Sequence, residues 1–138
     1  AIQEDDGFSL SHVDIDRPGP HYAVDTVKLL KKQYPEQALI YLMGGDSLHD
    51  LPEWYKPQEF LSTLDGIGVM RRPGDEIDLS ELTRKLPQLK EKLNFVTAPL
   101  LEISAEQIRR RAAEKRAYRY YLLPRIYHYI DTHRIYQD

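Results

Sequence analysis

The strongest indication of the fold of this chain is the segment Ala38-Leu39-Ile40-Tyr41-Leu42-Met43-Gly44-Gly45-Asp46-Ser47. Its continuous apolar run, residues 38–43, is typical of a central strand that is buried on both faces of a sheet. The run ends abruptly in two glycines and two polar residues, which predicts a loop that either approaches a ligand or simply turns into a helix.

Strand and helix patterns alternate along the rest of the chain. We predict strands over residues 8–15, 66–70 and 95–98, and helices over residues 22–34, 57–64, 78–93 with an interruption at Pro87, 104–115 and 124–132. This alternation favours an α/β domain with a mainly parallel sheet and helices on its faces. Because ligands of such sheets bind at the carboxyl ends of the strands, we expect the chemistry in the loops that follow strands.

The composition narrows the class of protein. The chain has 138 residues, 41% of them hydrophobic and 30% charged, which suits one globular domain and excludes a disordered tail. No apolar run is long enough for a transmembrane helix. The net charge of −3 argues against a surface that binds nucleic acid throughout. The absence of cysteine excludes disulfides, zinc–thiolate sites and thiol catalysis, and it fits a reducing cytoplasm.

Two segments after the first buried strand have a functional and a structural interpretation. Asp46, behind two glycines, can accept hydrogen bonds from a ribose, or this loop is a plain turn with Asp46 or Ser47 as the N-cap. Trp54, beside Tyr55, can stack on an aromatic ring of a ligand, or it is a core aromatic that closes over the edge of the sheet.

The carboxy-terminal third poses the same choice. Ser104 and Gln107 form a capping box, and the helix they open can bind phosphate at its N-terminus with help from Arg109. The alternative is a well-capped surface helix. Residues 109–119 are mostly basic and lie next to several tyrosines, a combination that binds single-stranded nucleic acid in some proteins. The alternative is a solvated helix face followed by a tyrosine-rich packing segment.

Six segments in a fixed order resemble motifs of one family, the bacterial nicotinate-nucleotide adenylyltransferases. Arg17-Pro18-Gly19-Pro20-His21-Tyr22-Ala23-Val24-Asp25-Thr26 is similar to the family's R-x-G-x-S-Y-T-x-D-T. Met43-Gly44-Gly45-Asp46-Ser47-Leu48 is similar to I-G-A-D-x-L, Leu51-Pro52-Glu53-Trp54-Tyr55 to L-x-x-W-[YH], and Val69-Met70-Arg71-Arg72-Pro73-Gly74 to V-x-R-P-G. The segment 103–109 resembles I-S-S-T-x-I-R, and residues 121–136 resemble the family's closing segment.

The resemblance implies a Rossmann-like nucleotidyltransferase fold and an established type of reaction. The family joins nicotinate mononucleotide to the adenylyl group of ATP, which gives deamido-NAD and pyrophosphate and requires Mg²⁺ bound to the substrate. It implies one partial nucleotidyltransferase-like domain over residues 1–138, with residues 104–138 as its carboxy-terminal helical part. It also implies a cytoplasmic enzyme with these two nucleotides as partners, without nucleic acid or membrane, and with room for a homo-oligomer.

The resemblance also assigns site residues. The nicotinate mononucleotide site would consist of Tyr22, Ala23, Trp54 and Tyr55, with Trp54 stacked on the ring and backbone N–H groups near Ala23 and Tyr55 on the carboxylate. The ATP site would consist of Gly44, Asp46, Arg72, Ile103, Ser104 and Arg109. We predict no metal ligand in the chain, since its histidines lack metal-binding spacing.

The family's opening strand, its G-G-x-F-D-P loop and its phosphate-stabilising H-x-G-H are absent from the 138 residues. The hydroxyls of two motifs also differ: S-Y-T is His21-Tyr22-Ala23 here, and S-S-T is Ser104-Ala105-Glu106. We therefore expect the carboxy-terminal portion of the enzyme, with no catalytic residue and no activity on its own. The alternative is a nucleotide-binding or regulatory module that keeps the fold without catalysis.

Overall fold

The computed structural model of the protein describes residues 2, 5–71, 77–97, 99 and 103–137. The chain divides into two compact units, Ser11–Leu100 and Ala1–Leu10 with Leu101–Asp138. We name them the sheet unit and the C-terminal unit. The expectation that residues 1–138 act as one domain stays a prediction.

The sheet unit alternates helices and strands as predicted. Its elements are α1 (Ala23–Gln33), β1 (Ile40–Gly44), α2 (Gly45–Asp50), a 3₁₀ turn (Leu51–Glu53), α3 (Pro57–Thr63), β2 (Gly66–Met70), α4 (Leu79–Lys85), α5 (Leu89–Lys92) and β3 (Leu93–Val96). The strands pair in parallel in the order β1-β2-β3. This arrangement confirms the predicted α/β class with a parallel sheet and flanking helices.

The core of the sheet unit lies on one face of the sheet. Met43 pairs with Val69, and both are buried with apolar residues from all five helices. Phe60, in α3, is fully buried among them. Met43 and Val69 lie near the carboxyl ends of β1 and β2, so the apolar core supports this edge of the sheet. The helix α2 follows Gly44 directly at the same edge.

The expectation that β1 is buried on both faces is wrong. Ile40 is 59% exposed and Leu42 is 60% exposed, whereas Met43, on the opposite face, is buried. Side chains alternate between the faces of a strand, and the buried helix residues pack only with the face that carries Met43. A continuous apolar run therefore does not reveal that one face is uncovered in the described part of the chain.

The strand predicted over residues 8–15 is also wrong. Phe8 and Leu10 have no regular structure, and the carbonyl of His12 accepts hydrogen bonds from the N–H groups of Ile15 and Asp16, both at 2.9 Å, which closes a turn. The apolar side chains are not packed: Phe8, Leu10 and Ile15 are all exposed. The irregular alternation near His12 was thus the feature that counted against a strand.

The other boundaries agree more closely. The helical pattern of residues 78–93 is interrupted at Pro87, as predicted, and gives α4 and α5. The predicted strand 95–98 is shifted, because β3 spans Leu93–Val96. Residues 72–74, the end of the motif similar to V-x-R-P-G, lie outside the described residues.

The C-terminal unit consists of α6 (Ala105–Ala113), a 3₁₀ turn (Arg119–Tyr121) and α7 (Pro124–Thr132). Its small core contains Ala112, Tyr118 and Ile130. The ring of Tyr118 lies 5.2 Å from that of Tyr127, between centroids. None of the described helices, in either unit, is long and apolar enough to cross a membrane.

Candidate functional site

A pocket of about 300 Å³ opens beside the N-terminus of α1. Its lining consists of His21, Tyr22, Ala23, Trp54 and Tyr55. The structure thus brings together the four residues predicted for the nicotinate mononucleotide site, from two segments about 30 positions apart in the sequence. His21 is an additional lining residue, which the motif contained but to which no role was assigned.

Trp54 is fixed in place by the core. It follows the 3₁₀ turn, donates its backbone N–H to the carbonyl of Leu51 at 3.1 Å, and is half-buried. Its ring centroid lies 5.4 Å from that of Phe60 and 6.2 Å from that of Tyr41, the latter in an edge-to-face arrangement. The same ring packs on the core and lines the pocket, and its stacking on a ligand stays a prediction.

Two tyrosines stack at the mouth of the pocket. The rings of Tyr22 and Tyr55 have centroids 4.1 Å apart and planes 28° from parallel, and both remain substantially exposed. The Nζ of Lys56 lies 5.5 Å from the centroid of Tyr55. Lys56 has a left-handed backbone, φ 51°, immediately before Pro57 opens α3. Trp54 and Tyr55, which precede this turn, line the pocket together with the start of α1.

The N-terminus of α1 forms the opposite wall. Its N-cap is Tyr22, whose side chain makes no capping hydrogen bond, and Ala23 is the first helical residue. The N–H groups that begin a helix have no intrahelical acceptor, and the helix dipole adds partial positive charge there. In α1 the N–H of Asp25 already donates to the carbonyl of Tyr22, and the carboxylate of Asp25 belongs to the same first turn, so the N–H groups that face a ligand are those before Asp25. This wall is therefore suited to a negatively charged group.

A partly buried ionic network supports the loop that leads into α1. Arg17 donates from Nη2 to the Oδ1 of Asp14 at 2.7 Å, and the hydroxyl of Thr26 also donates to that carboxylate. The hydrogen bond from Thr26, followed by the hydrogen bond and charge of Arg17, holds the pKa of Asp14 below its ordinary value. Periodicity carries no signal for this network, because its members come from loops and a first helical turn.

Gly44 and Asp46 lie together where β1 ends. The turn interpretation predicted Asp46 or Ser47 as the N-cap of the helix that follows. This prediction is wrong, because the N-cap of α2 is Gly44. A Cβ on Gly44 would lie 2.5 Å from the Oδ1 of Asp46, so any larger residue there would require the side chain of Asp46 to move. The same carboxylate oxygen accepts the backbone N–H of Ser47 at 2.9 Å. Asp46 is exposed at the carboxyl edge of the sheet, within the sheet unit.

The remaining predicted ATP residues are in the C-terminal unit or outside the described residues. Ile103 and Ser104 precede α6, and the Oγ of Ser104 accepts the N–H of Gln107 at 3.1 Å, which confirms Ser104 as the N-cap. Arg109 is exposed one turn further on. Arg72 lies outside the described residues. In the part of the chain that is described, no group of three or more His, Asp or Glu side chains is placed to hold a metal ion.

Comparison with known proteins identifies the relatives of the chain. No family model matches it. The probable nicotinate-nucleotide adenylyltransferase of Thermomicrobium roseum is 42% identical over 137 residues, which is 99% of this chain and 64% of that protein. That of Roseiflexus sp. is 40% identical and again covered to 64%. The chain thus spans about two thirds of the length of the curated relatives it matches.

Solved structures show the same fold. Plasmodium falciparum nicotinic acid mononucleotide adenylyltransferase complexed with APC aligns with a TM-score of 0.68 at 19% identity, over 94% of this chain and 64% of that one. The same protein complexed with NaAD aligns with a TM-score of 0.66 over 92% of this chain and 60% of that one. The parallel sheet with its flanking helices is therefore a Rossmann-like nucleotidyltransferase fold, as the resemblance implied.

The alignment with a Bacillus subtilis relative extends far enough along both proteins to decide the family. The nicotinate-nucleotide adenylyltransferase of Bacillus subtilis is 34% identical over 138 residues, all of this chain and 67% of that protein. Together with the motif order and the fold, this alignment shows that the chain belongs to the nicotinate-nucleotide adenylyltransferase family.

Proposed function

We propose that this chain supplies the nicotinate mononucleotide site, and part of the ATP site, of an enzyme that makes deamido-NAD for NAD biosynthesis. The observation that carries the proposal is the pocket between Trp54 and the start of α1. It offers a rigid indole for a flat ring and an uncapped helix N-terminus for an anion. A pyridine carboxylate matches this pocket, because it combines a flat ring with a negative charge.

In the proposed complex, each group of the ligand has a partner of suitable chemistry. The nicotinate ring stacks on Trp54, and its carboxylate accepts backbone N–H groups near Ala23 and Tyr55. Gly44 and Asp46 lie against a ribose, because the exposed carboxylate of Asp46 can accept hydroxyl hydrogens. Support comes from the Plasmodium falciparum relative, which has been captured with NaAD and with APC.

The proposed reaction is a direct displacement at phosphorus. An oxygen of the nicotinate mononucleotide phosphate forms a bond to the α-phosphorus of ATP while the bond from that phosphorus to the bridging oxygen breaks, and pyrophosphate leaves. Such a reaction needs alignment and charge stabilisation more than covalent help from the protein. Ile103, Ser104, Arg109 and Arg72 are proposed for the ATP end, with ATP entering as its Mg²⁺ complex.

The 138 residues alone are proposed to bind substrate without transferring the adenylyl group, because they contain no H-x-G-H segment. We expect the enzyme to act in the cytoplasm, and a homo-oligomer remains a prediction. The alternative, a binding or regulatory module, is distinguished by the gene sequence. An H-x-G-H segment encoded upstream of Ala1 supports the enzyme, and its absence supports the module.

The proposal is tested by isothermal titration calorimetry of the purified chain with nicotinate mononucleotide and, as a control, uridine monophosphate. We expect heat of binding with the pyridine nucleotide and none with the control at the same concentrations, because the pyrimidine lacks the carboxylate. Equal binding of both nucleotides, or of neither, would contradict the pyridine site. Release of pyrophosphate from ATP and nicotinate mononucleotide by this chain would contradict its inactivity.

A further inference from the structure

Residues 17–22 form the loop that enters α1, and a single guanidinium holds it. Nη1 of Arg17 donates to the carbonyl of Pro20 at 2.9 Å, and Nη2 approaches the carbonyl of Tyr22 at 3.2 Å. These two carbonyls flank His21, which lines the pocket. Arg17 therefore hydrogen-bonds to the backbone on both sides of His21.

The same guanidinium reaches into the first turn of α1. The carbonyl of Tyr22 also accepts the N–H of Asp25 at 3.0 Å, so it is the first acceptor of the helix. Nη2 of Arg17 lies 3.3 Å from the hydroxyl oxygen of Thr26 and 2.7 Å from the Oδ1 of Asp14. We name Asp14, Arg17 and Thr26 the loop clamp.

The clamp is built for geometry more than for charge. The side chain of Arg17 is only 17% exposed, and its charge is offset by Asp14 at ion-pair distance. What remains is a planar fork with several donors in fixed directions, which a lysine cannot reproduce. The guanidinium hydrogen-bonds to the carbonyl of Tyr22, and that carbonyl belongs to the same peptide group as the N–H of Ala23. The partly buried ion pair of Arg17 with Asp14 therefore helps to fix the position of this N–H.

We propose that Arg17 is a positioning residue that sets the preference of the pocket for a pyridine carboxylate over the corresponding amide. The inference rests on the proposed function. Fixed N–H donors suit a carboxylate, whereas a carboxamide turns an N–H group toward them or leaves one unpaired. Without the hydrogen bonds from Arg17, the N–H donors of the loop can move away from the ligand. The free-energy cost of binding a carboxamide in place of a carboxylate then becomes smaller. Stacking on Trp54 is unaffected, because that ring is held by Tyr41 and Phe60.

The test compares nicotinate and nicotinamide mononucleotide by isothermal titration calorimetry in the 138-residue chain. We define the ratio as the dissociation constant of nicotinamide mononucleotide divided by that of nicotinate mononucleotide. In Arg17→Met, we expect this ratio to fall by roughly tenfold or more, mainly through weaker binding of the acid. Arg17→Lys should behave like Arg17→Met, because it keeps the charge and loses the fork. Thr26→Val, which removes one hydroxyl from the clamp, should shift the ratio in the same direction by less.

Lys28→Met is the matched control, since it removes a positive charge from α1 where the side chain pairs with Glu59 and not with the loop. Its ratio should equal that of the wild type. An unchanged ratio in a folded Arg17→Met or Arg17→Lys chain, or an equal loss of affinity for both nucleotides, would overturn the inference while leaving the proposed function standing. A wild-type chain that binds neither nucleotide would overturn the proposed function, and the inference with it. Should Arg17→Met fail to fold, Arg17→Lys and Thr26→Val decide.

Discussion

Both units of the molecule contain a cluster of aromatic rings, but the clusters differ in how the rings are held. In the sheet unit, Phe60 is fully buried and supports Trp54, whose ring also lines a pocket. In the C-terminal unit, Tyr118 is buried against Tyr127 and belongs to the small core itself. Trp54 thus lines a pocket while Phe60 fills the core beneath it, whereas Tyr118 is itself the buried ring of its cluster.

Arg111, a basic residue beside the tyrosines of the C-terminal unit, also has partners within its own unit. The guanidinium of Arg111 lies 5.0 Å from the ring centroid of Tyr121 and donates to the carbonyl of Ala117 at 3.1 Å. This arginine is engaged within its own unit, whereas Tyr120 is 88% exposed, and the packing interpretation of the tyrosine-rich segment stays a prediction. A run of positive charge next to tyrosines is thus an ambiguous signal until the partners of each charge are known.

The largest expected effect concerns the ring beneath Trp54. Phe60→Ala should lower the free energy of unfolding by about 3–5 kcal/mol, because a fully buried aromatic ring is lost and a cavity remains. Tyr120→Ala in the C-terminal unit, where the side chain is 88% exposed, should change it by less than about 0.5 kcal/mol. Urea denaturation followed by circular dichroism measures both. Similar values for the two variants would remove the contrast between a supporting ring and a surface ring.

An intermediate effect is expected on ligand affinity. Trp54→Ala should weaken binding of nicotinate mononucleotide by roughly 5- to 150-fold, the range of about 1–3 kcal/mol that stacking on an aromatic side chain contributes. Tyr129→Ala, which removes an exposed aromatic ring from the C-terminal unit, is the matched control and should leave the affinity unchanged. Calorimetric titration measures both variants. A Trp54→Ala chain with wild-type affinity would place the ligand elsewhere.

The smallest effect is a pH dependence located in the sheet unit. The N–H of Leu39, at 2.7 Å, and the ammonium of Lys31, at 2.9 Å, hold the pKa of Asp65 below its ordinary value of 3.8. Because the folded carboxyl binds its proton at lower pH than the unfolded one, this stabilisation is present above the ordinary value and is lost as the pH falls below it. Asp65→Asn should therefore reduce the drop in the urea midpoint between neutral pH and acid pH.

Glu36→Gln, at an exposed site in the loop between α1 and β1, is the control for removing one negative charge. Its midpoint should fall with pH as in the wild type. An Asp65→Asn chain with the full wild-type drop would show that this carboxyl does not contribute to the acid sensitivity.

The elements of the fold were predictable where periodicity or a breaker was strong. The helix ahead of β1, the interruption at Pro87 and the strand 66–70 followed from local pattern alone. The strand over residues 8–15 failed because its apolar side chains are not buried in the structure. Burial depends on what packs against a segment, and a single sequence does not contain that information in its local pattern.

The site was predictable only in part. Trp54 and Tyr22 lie far apart in the sequence, and it was the resemblance, not their spacing, that placed them in one site; the structure brings them to one pocket, while their roles stay a prediction. The contribution of Arg17 was missed because it acts through the carbonyls of its neighbours, and backbone acceptors leave no trace in residue identity. The one available signal was an arginine just ahead of two prolines and a helix start, in a loop that needs donors.

The position of Trp54 has a practical consequence for measurements on this protein. It is the single tryptophan of the chain, and it belongs to the sheet unit. Its indole emission therefore reports on the surroundings of Tyr41, Phe60 and the pocket, while the C-terminal unit contributes only tyrosine signal. Comparison of tryptophan emission with circular dichroism during denaturation would reveal whether the two units unfold in one transition or in two.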